Sequence, residues 1–258
     1  VATSKPVRRG VYLLPALFTV GNLLCGFLCV LAASRGRFEF AAQLIVLAGI
    51  LDAFDGRIAR MTGATSEMGV QLDSLADMVS FGLAPAALGY FWALEPFRRT
   101  GALVAFLLVV CAATRLARFN VQSASADKRW FVGLPSPAAA GVVATIVYAV
   151  QEPPAERWAA VLFGAAFCTA ALLMVSRLRY RAFKELNLRD RRSSAWVLVI
   201  AAAVAGILIE PRWSFLAVAG TYALTAPAVY LFGWLVRGRK PATGPVAAQE
   251  VPDGPHPH

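Results

Sequence analysis

Apolar residues run through this chain in long unbroken blocks, interrupted by short gaps that gather the charge. The blocks span residues 12–33, 38–59, 70–93, 101–120, 134–151, 157–176, 194–209 and 213–236. They are continuous, without the strict alternation that marks a half-buried strand. Most reach the ~20 residues, range ~17–25, that a helix needs to cross a hydrocarbon core. The seventh is the shortest. Only helices and closed barrels satisfy every backbone polar group in lipid, and continuous apolar runs favour helices. The pattern predicts an all-α, polytopic membrane helical bundle of about eight transmembrane helices.

The gaps predict an orientation. With basic residues near a block's end assigned to the adjacent gap, 19 of the 25 Lys and Arg residues go with the even-numbered gaps and the two tails, and 6 with the odd-numbered gaps. The smaller set is Arg35, Arg37, Arg98, Arg99, Arg157 and Arg212. The larger set includes Arg57, Arg60, Arg115 and Arg118, with seven basic residues crowded into 177–192. Basic residues stay on the cytoplasmic side, so both termini are expected to be cytoplasmic, in the inner membrane. Residues 4–34 mimic a secretory signal, but their apolar run of about 20 residues exceeds the usual ~7–15. A retained first span is expected.

Composition agrees with lipid as the solvent. The chain of 258 residues is 58% hydrophobic with a mean hydropathy of +0.60, against about 45–50% apolar residues in soluble domains. A net charge of +10 could serve nucleic acid. Spread along one membrane face, it predicts attraction to anionic lipids instead, and no nucleic-acid partner. Cys25, Cys29, Cys111 and Cys168 sit inside the blocks without metal-like spacing, which predicts inert buried thiols. The expected layout is a cytoplasmic basic arm over 1–11, a membrane domain over 12–237, and a Pro- and Gly-rich tail over 238–258 that cannot bury a core.

Against this background four carboxylates stand out. Asp52 and Asp55 close the second block, and Asp73 and Asp77 open the third. Each ionised carboxylate in hydrocarbon costs at least ~2.5–3.5 kcal/mol. Spacings of three and four put each pair on one helix face. The short stretch 61–69 makes the two helices antiparallel neighbours, so all four carboxylates can converge just below the cytoplasmic headgroups. Two such charges 4 Å apart repel by ~4 kcal/mol at an effective dielectric of 20. Hard divalent cations relieve that repulsion, and four carboxylates suffice for two ions of the kind that clamp attacking and leaving oxygens in phosphoryl transfer. Gly56 lets a ligand approach the helix backbone, Ala59 keeps that groove open, and Arg60 offers a fork for phosphate. The only histidines, His256 and His258, lie in the tail, so the proton acceptor must be a carboxylate.

The string D-x-x-D-G-x-x-A-R, eight residues, G-x-x-x-D-x-x-x-D resembles the signature of the CDP-alcohol phosphatidyltransferase family at Asp52, Asp55, Gly56, Ala59, Arg60, Gly69, Asp73 and Asp77. The resemblance implies an integral membrane enzyme that moves a phosphatidyl group from a CDP-linked lipid to an alcohol, releasing CMP. It implies Mg²⁺ or Mn²⁺, two ions, held by Asp52, Asp55, Asp73 and Asp77, with Asp77 also the general base. Gly56, Arg60 and Ser66 would contact the CDP moiety. The H-x-K pair of phospholipase D-related phosphatidyltransferases is absent, so a single direct displacement without a covalent intermediate is expected. Homodimers are common in the family, but no feature of this sequence supplies an interface.

Residues 14–28, 115–120 and 131–141 resemble the serine-accepting branch of that family. This implies CDP-diacylglycerol and L-serine as substrates, with phosphatidylserine and CMP as products. One departure is Ala16, where family members often have Asn, so any nucleotide contact from that position is absent or falls to Thr19 or Asn22. Arg115 and Arg118, one helical turn apart, read equally as snorkelling anchors or, with Asn120, as a site for the serine carboxylate or a lipid phosphate. The same chemistry with choline, glycerol phosphate or an inositol phosphate remains open, as does an archaeal-type lipid donor. A different class is a divalent-cation transporter, against which the other six blocks carry no acidic residue in their interiors.

Overall fold

The computed structural model describes residues 13–62, 67–122, 130–176, 178–181, 205–206 and 208–237. The basic arm, the tail, most of the seventh block and Ser66 lie outside those residues. The first two blocks form α1 (Leu13–Ser34) and α2 (Phe38–Thr62), a tight hairpin. Its turn is a Schellman close: Arg37 N–H donates to Ala32 O at 2.9 Å and Gly36 N–H to Ala33 O at 3.0 Å. Gly36 takes the left-handed φ of +73° that this motif requires. Small residues let the two backbones approach closely: a Cβ on Gly21 would lie 3.3 Å from Leu51 of α2, and Ala41, Ala42 and Ala48 of α2 are fully buried.

The third block is a composite. It runs as α3 (Glu67–Asp77), a π-helical stretch Met78–Leu83, α4 (Ala84–Gly89), a second π stretch Tyr90–Leu94, and a 3₁₀ turn Glu95–Phe97. Each π stretch ends two residues before a proline, Pro85 or Pro96, and closes with a five-residue bond: Ala84 N–H to Val79 O, and Glu95 N–H to Tyr90 O. Proline lacks the N–H that would continue the α ladder, and widening the preceding turn accommodates the gap. The chain then reverses at Arg98, whose φ is +48°, into α5 (Arg98–Gln122).

α6 (Ser136–Val150), α7 (Arg157–Val175) and α8 (Pro211–Arg237) follow. α5 packs on α7, and α6 packs on α2 and α8. An aromatic cluster ties the third block to α7, with Trp92 and Phe163 edge to face at 4.9 Å. Among the described residues the one departure from helix with regular pairing is a ribbon of β1 (Trp130–Val132) and β2 (Arg179–Arg181), antiparallel with Phe131 opposite Tyr180. It joins the two longer even-numbered gaps. Gly133, with φ +83°, follows it, and a Cβ there would lie 2.2 Å from Met174 O. Gly133 N–H donates to Leu178 O and Leu134 N–H to Leu173 O, which sets the entry of α6.

Among the described residues three stretches are long and apolar enough to cross a membrane: Ala16–Ser34, Met68–Val121 and Arg157–Val175. The middle one has 54 residues, roughly 80 Å of helix at ~1.5 Å per residue against a core of ~30 Å. It accordingly folds back on itself at Arg98. Large apolar side chains face outward along the helices, Leu103 at 68% exposure, Leu162 at 63% and Val229 at 72%, which suits a lipid-facing surface. The first and fifth gaps share one end of the bundle: Gly36, Arg37, Gln151 and Glu152 line one open cleft there, and Trp92 Nε1, near the third gap, donates to Gln151 O at 3.3 Å.

α1 also seats on the first π stretch. Ser80, fully buried, donates from Oγ to Asn22 O at 2.8 Å. A Cβ on Gly26 would lie 2.8 Å from Ser80 Cα, whereas one on Gly141 would meet nothing within 4 Å. Gly26→Val is therefore expected to destabilise the detergent-solubilised protein by about 1–3 kcal/mol through overpacking. Gly141→Ala is expected to be neutral or stabilising by up to about 1 kcal/mol through helix propensity. Thermal unfolding of the two variants checks this, and equal stability would contradict the close α1 contact.

Candidate active site

Each functional side chain is placed by its helix phase. Asp52 and Asp55 lie in the second half of α2, Asp73 and Asp77 in the second half of α3. Asp52, Asp73 and Asp77 each present a carboxylate oxygen, and the three oxygens lie within 4.8 Å of one another. All three residues are half-buried. Asp55 stands outside this trio. It is buried and accepts a hydrogen bond from the Thr19 hydroxyl, while remaining in electrostatic contact with Asp52 and Asp73.

The first helix frames the acids. Thr19 and Asn22 are three residues apart on α1, so both project toward α2 and α3. Asn22 Nδ2 donates to Asp77 Oδ1 at 3.3 Å. Asn22 is fully buried and its Oδ1 has no partner among the described residues. These two residues, expected as candidates for a nucleotide contact, are here engaged with carboxylates. Gly56 and Gly69 are exposed beside the acids. α2 carries Ala59 and Arg60, but their side chains lie outside the description.

The three candidates at the end of α5 separate clearly. Asn120 Nδ2 donates to Ser74 Oγ at 3.1 Å, fastening α5 to the residue after Asp73. Arg118 Nη1 reaches Val175 O at 3.5 Å, where a cation complements the C-terminal end of α7. Arg115 turns inward instead. Its Nη1 donates to Ser136 Oγ at 3.0 Å, its Nε is buried without a partner among the described residues, and its charge is near enough to be felt at Asp77 and at Tyr222 on α8. Ser136, Tyr222 and Ser80 had no predicted role. For Ser136 the signal available was its place between Pro135 and Pro137 at a helix start. Tyr222 sits in an apolar run with nothing to mark it.

The donor set fits a divalent cation, because carboxylate oxygens are the ligands hard cations prefer and three of them converge within 4.8 Å. Unneutralised, the same convergence would be strongly repulsive.

Known proteins bear on this geometry. The chain is similar to a Helicobacter pylori protein named CDP-diacylglycerol–serine O-phosphatidyltransferase, 40% identical over 182 residues, covering 69% of this chain and 75% of that protein. A Bacillus subtilis protein of the same name is 33% identical over 183 residues, covering 71% of this chain and 98% of its own length. An archaetidylserine synthase of Methanothermobacter thermautotrophicus is 40% identical over 134 residues, covering 51% of this chain and 56% of that protein. A family model for CDP-alcohol phosphatidyltransferases spans residues 12–175, from the start of α1 through the paired aspartates to the end of α7. The acid-bearing α2–α3 pair therefore lies in a chain that belongs to the CDP-alcohol phosphatidyltransferase family.

Proposed function

We infer that this protein transfers the phosphatidyl group of CDP-diacylglycerol to the hydroxyl of L-serine, giving phosphatidylserine and CMP. The observation that carries the reading is the oxygen trio of Asp52, Asp73 and Asp77, set in a family domain whose relatives are named for this reaction. Asp52, Asp73 and Asp77 would hold Mg²⁺ or Mn²⁺, and Asp55 beside them makes the set sufficient for two ions. A bound cation would supply neutralisation of phosphate charge and a more acidic alcohol.

The chain's own groups do the rest. Asp77 accepts the proton of the serine hydroxyl as its oxygen attacks the lipid-linked phosphorus. A new phosphorus–oxygen bond forms to serine, the bond to the CMP oxygen breaks, and CMP leaves. Asn22, holding one Asp77 oxygen at 3.3 Å, fixes the rotation of that carboxylate. Thr19 does the same for Asp55. Gly56, Ala59, Gly69 and Ser66 border the CDP-lipid, with Arg60 offering its guanidinium to the diphosphate. Both termini and this end of the bundle face the cytoplasm, following the basic residues.

An acceptor panel with purified protein tests the substrate. CMP and phosphatidylserine are expected with L-serine, and not with choline, glycerol 3-phosphate or inositol phosphate. Chelation should abolish the activity and added Mn²⁺ or Mg²⁺ restore it. Failure to release CMP with serine would overturn the reading.

Asp77→Asn is expected to lower kcat by about 10²–10⁴-fold while CDP-diacylglycerol still binds. Asp52→Ala should lose metal and CDP-lipid binding together. Near-normal turnover by Asp77→Asn would show that another group takes the proton.

A further inference from the structure

We propose that Arg115 is the residue that selects an amino-acid acceptor, by docking its α-carboxylate beside Asp77, and that Tyr222 of α8 positions that guanidinium. The inference rests on the reading of the protein as a transferase to serine, and it adds what distinguishes serine from other alcohols at this site. Serine differs from a simple alcohol by two charges, and its carboxylate lies only a few bonds from the hydroxyl that must reach the base. A cation close to Asp77 is therefore needed, with a donor available.

Arg115 alone among the α5 candidates meets those terms. Arg118 is directed to the end of α7 and Asn120 to Ser74. α5 packs on the π stretch that follows Asp77 and is held to Ser74 by Asn120, which brings the Arg115 charge to bear on Asp77, and the Arg115 Nε is buried with no partner among the described residues. A buried guanidinium N–H left without an acceptor costs stability, so its retention asks for a ligand. Ser136 takes only Nη1, at 3.0 Å, leaving the rest of the fork for a planar carboxylate, the geometry for which arginine is suited. Ser136 is also the first residue of α6, so the positive end of that helix dipole lies beside the same guanidinium.

The wall opposite comes from outside the family domain. The family match ends at residue 175, and α8 begins at Pro211. Yet α8 packs along α6, buries Ala223 and brings Tyr222, partly buried against the core, to the side of α6 where Arg115 meets Ser136, close enough to feel the Arg115 charge. Tyr222 acts through Arg115, so its loss should be felt on the acceptor and not on the CDP-lipid.

The test uses full-length protein with Mn²⁺, measuring CMP release with L-serine and with L-serinamide and L-serine methyl ester, which keep the hydroxyl and lose the carboxylate charge. Wild type is expected to favour serine by about 10²-fold or more in kcat/KM. Arg115→Gln should raise the KM for serine about 10- to 100-fold and shrink that preference, with the KM for CDP-diacylglycerol little changed. Arg115→Lys should recover part of the loss. Tyr222→Phe should raise the serine KM about 3- to 10-fold without lowering kcat to match, whereas a merely structural role would move both substrates and the unfolding temperature. If Arg115→Gln raises the KM for CDP-diacylglycerol instead, the guanidinium reads the lipid phosphate and the inference fails. Should Arg115→Gln not fold, the wild-type panel still decides: equal use of serine and serinamide overturns the inference. No turnover with serine at all would count against the proposed function itself.

Discussion

Three carboxylate oxygens within 4.8 Å of one another, on helices flanked by apolar residues, set the constraint on which this structure turns. Their mutual repulsion, ~4 kcal/mol per pair at 4 Å and an effective dielectric of 20, is a standing demand for positive charge. The charge of Arg115, on the helix packed against the turn after Asp77, answers a small part of it. A single guanidinium already bonded to Ser136 cannot balance three acids. The arrangement makes physical sense as a cradle for divalent cations, in a chain whose relatives are named for phosphatidyl transfer.

Much of the remaining fold serves to hold that cradle. α1 contributes no acid, yet it touches both acid-bearing helices, through Thr19 to Asp55 and Asn22 to Asp77. Its seat is set by Gly26 against Ser80 and by the Ser80–Asn22 hydrogen bond. Ser80 occupies its position because the turn after Asp77 widens into a π stretch ahead of Pro85. A proline well away from the acids thus governs the phase of the helix that presents Asp77. On the other side, the β1–β2 ribbon and Gly133 fix where α6 begins, and so place Ser136 beside Arg115.

The acid motif was legible because charge in an apolar run is conspicuous and helical spacing alone pairs Asp52 with Asp55 and Asp73 with Asp77. Helix limits were legible for the same reason: the first, second, fourth, fifth and sixth blocks match α1, α2, α5, α6 and α7 closely. Rotation about each helix axis was not. α1 is apolar nearly all round, so nothing in its pattern showed that Thr19 and Asn22 face carboxylates. The π stretches were hidden behind visible prolines, since proline marks a disturbed ladder without saying how it is repaired. Asp55 was expected among four converging acids, and its turn toward Thr19 depends on a partner 36 residues away in sequence. Tyr222 lay beyond any local signal, because its approach to Arg115 depends on α8 packing along α6.

The most direct measurement of the central claim is the anomalous scattering of Mn²⁺ in crystals of the protein. The account predicts a peak with oxygens of Asp52, Asp73 and Asp77 within about 2.5 Å, lost in an Asp52→Ala crystal grown the same way. Manganese bound elsewhere, with those three side chains pointing apart, would contradict it.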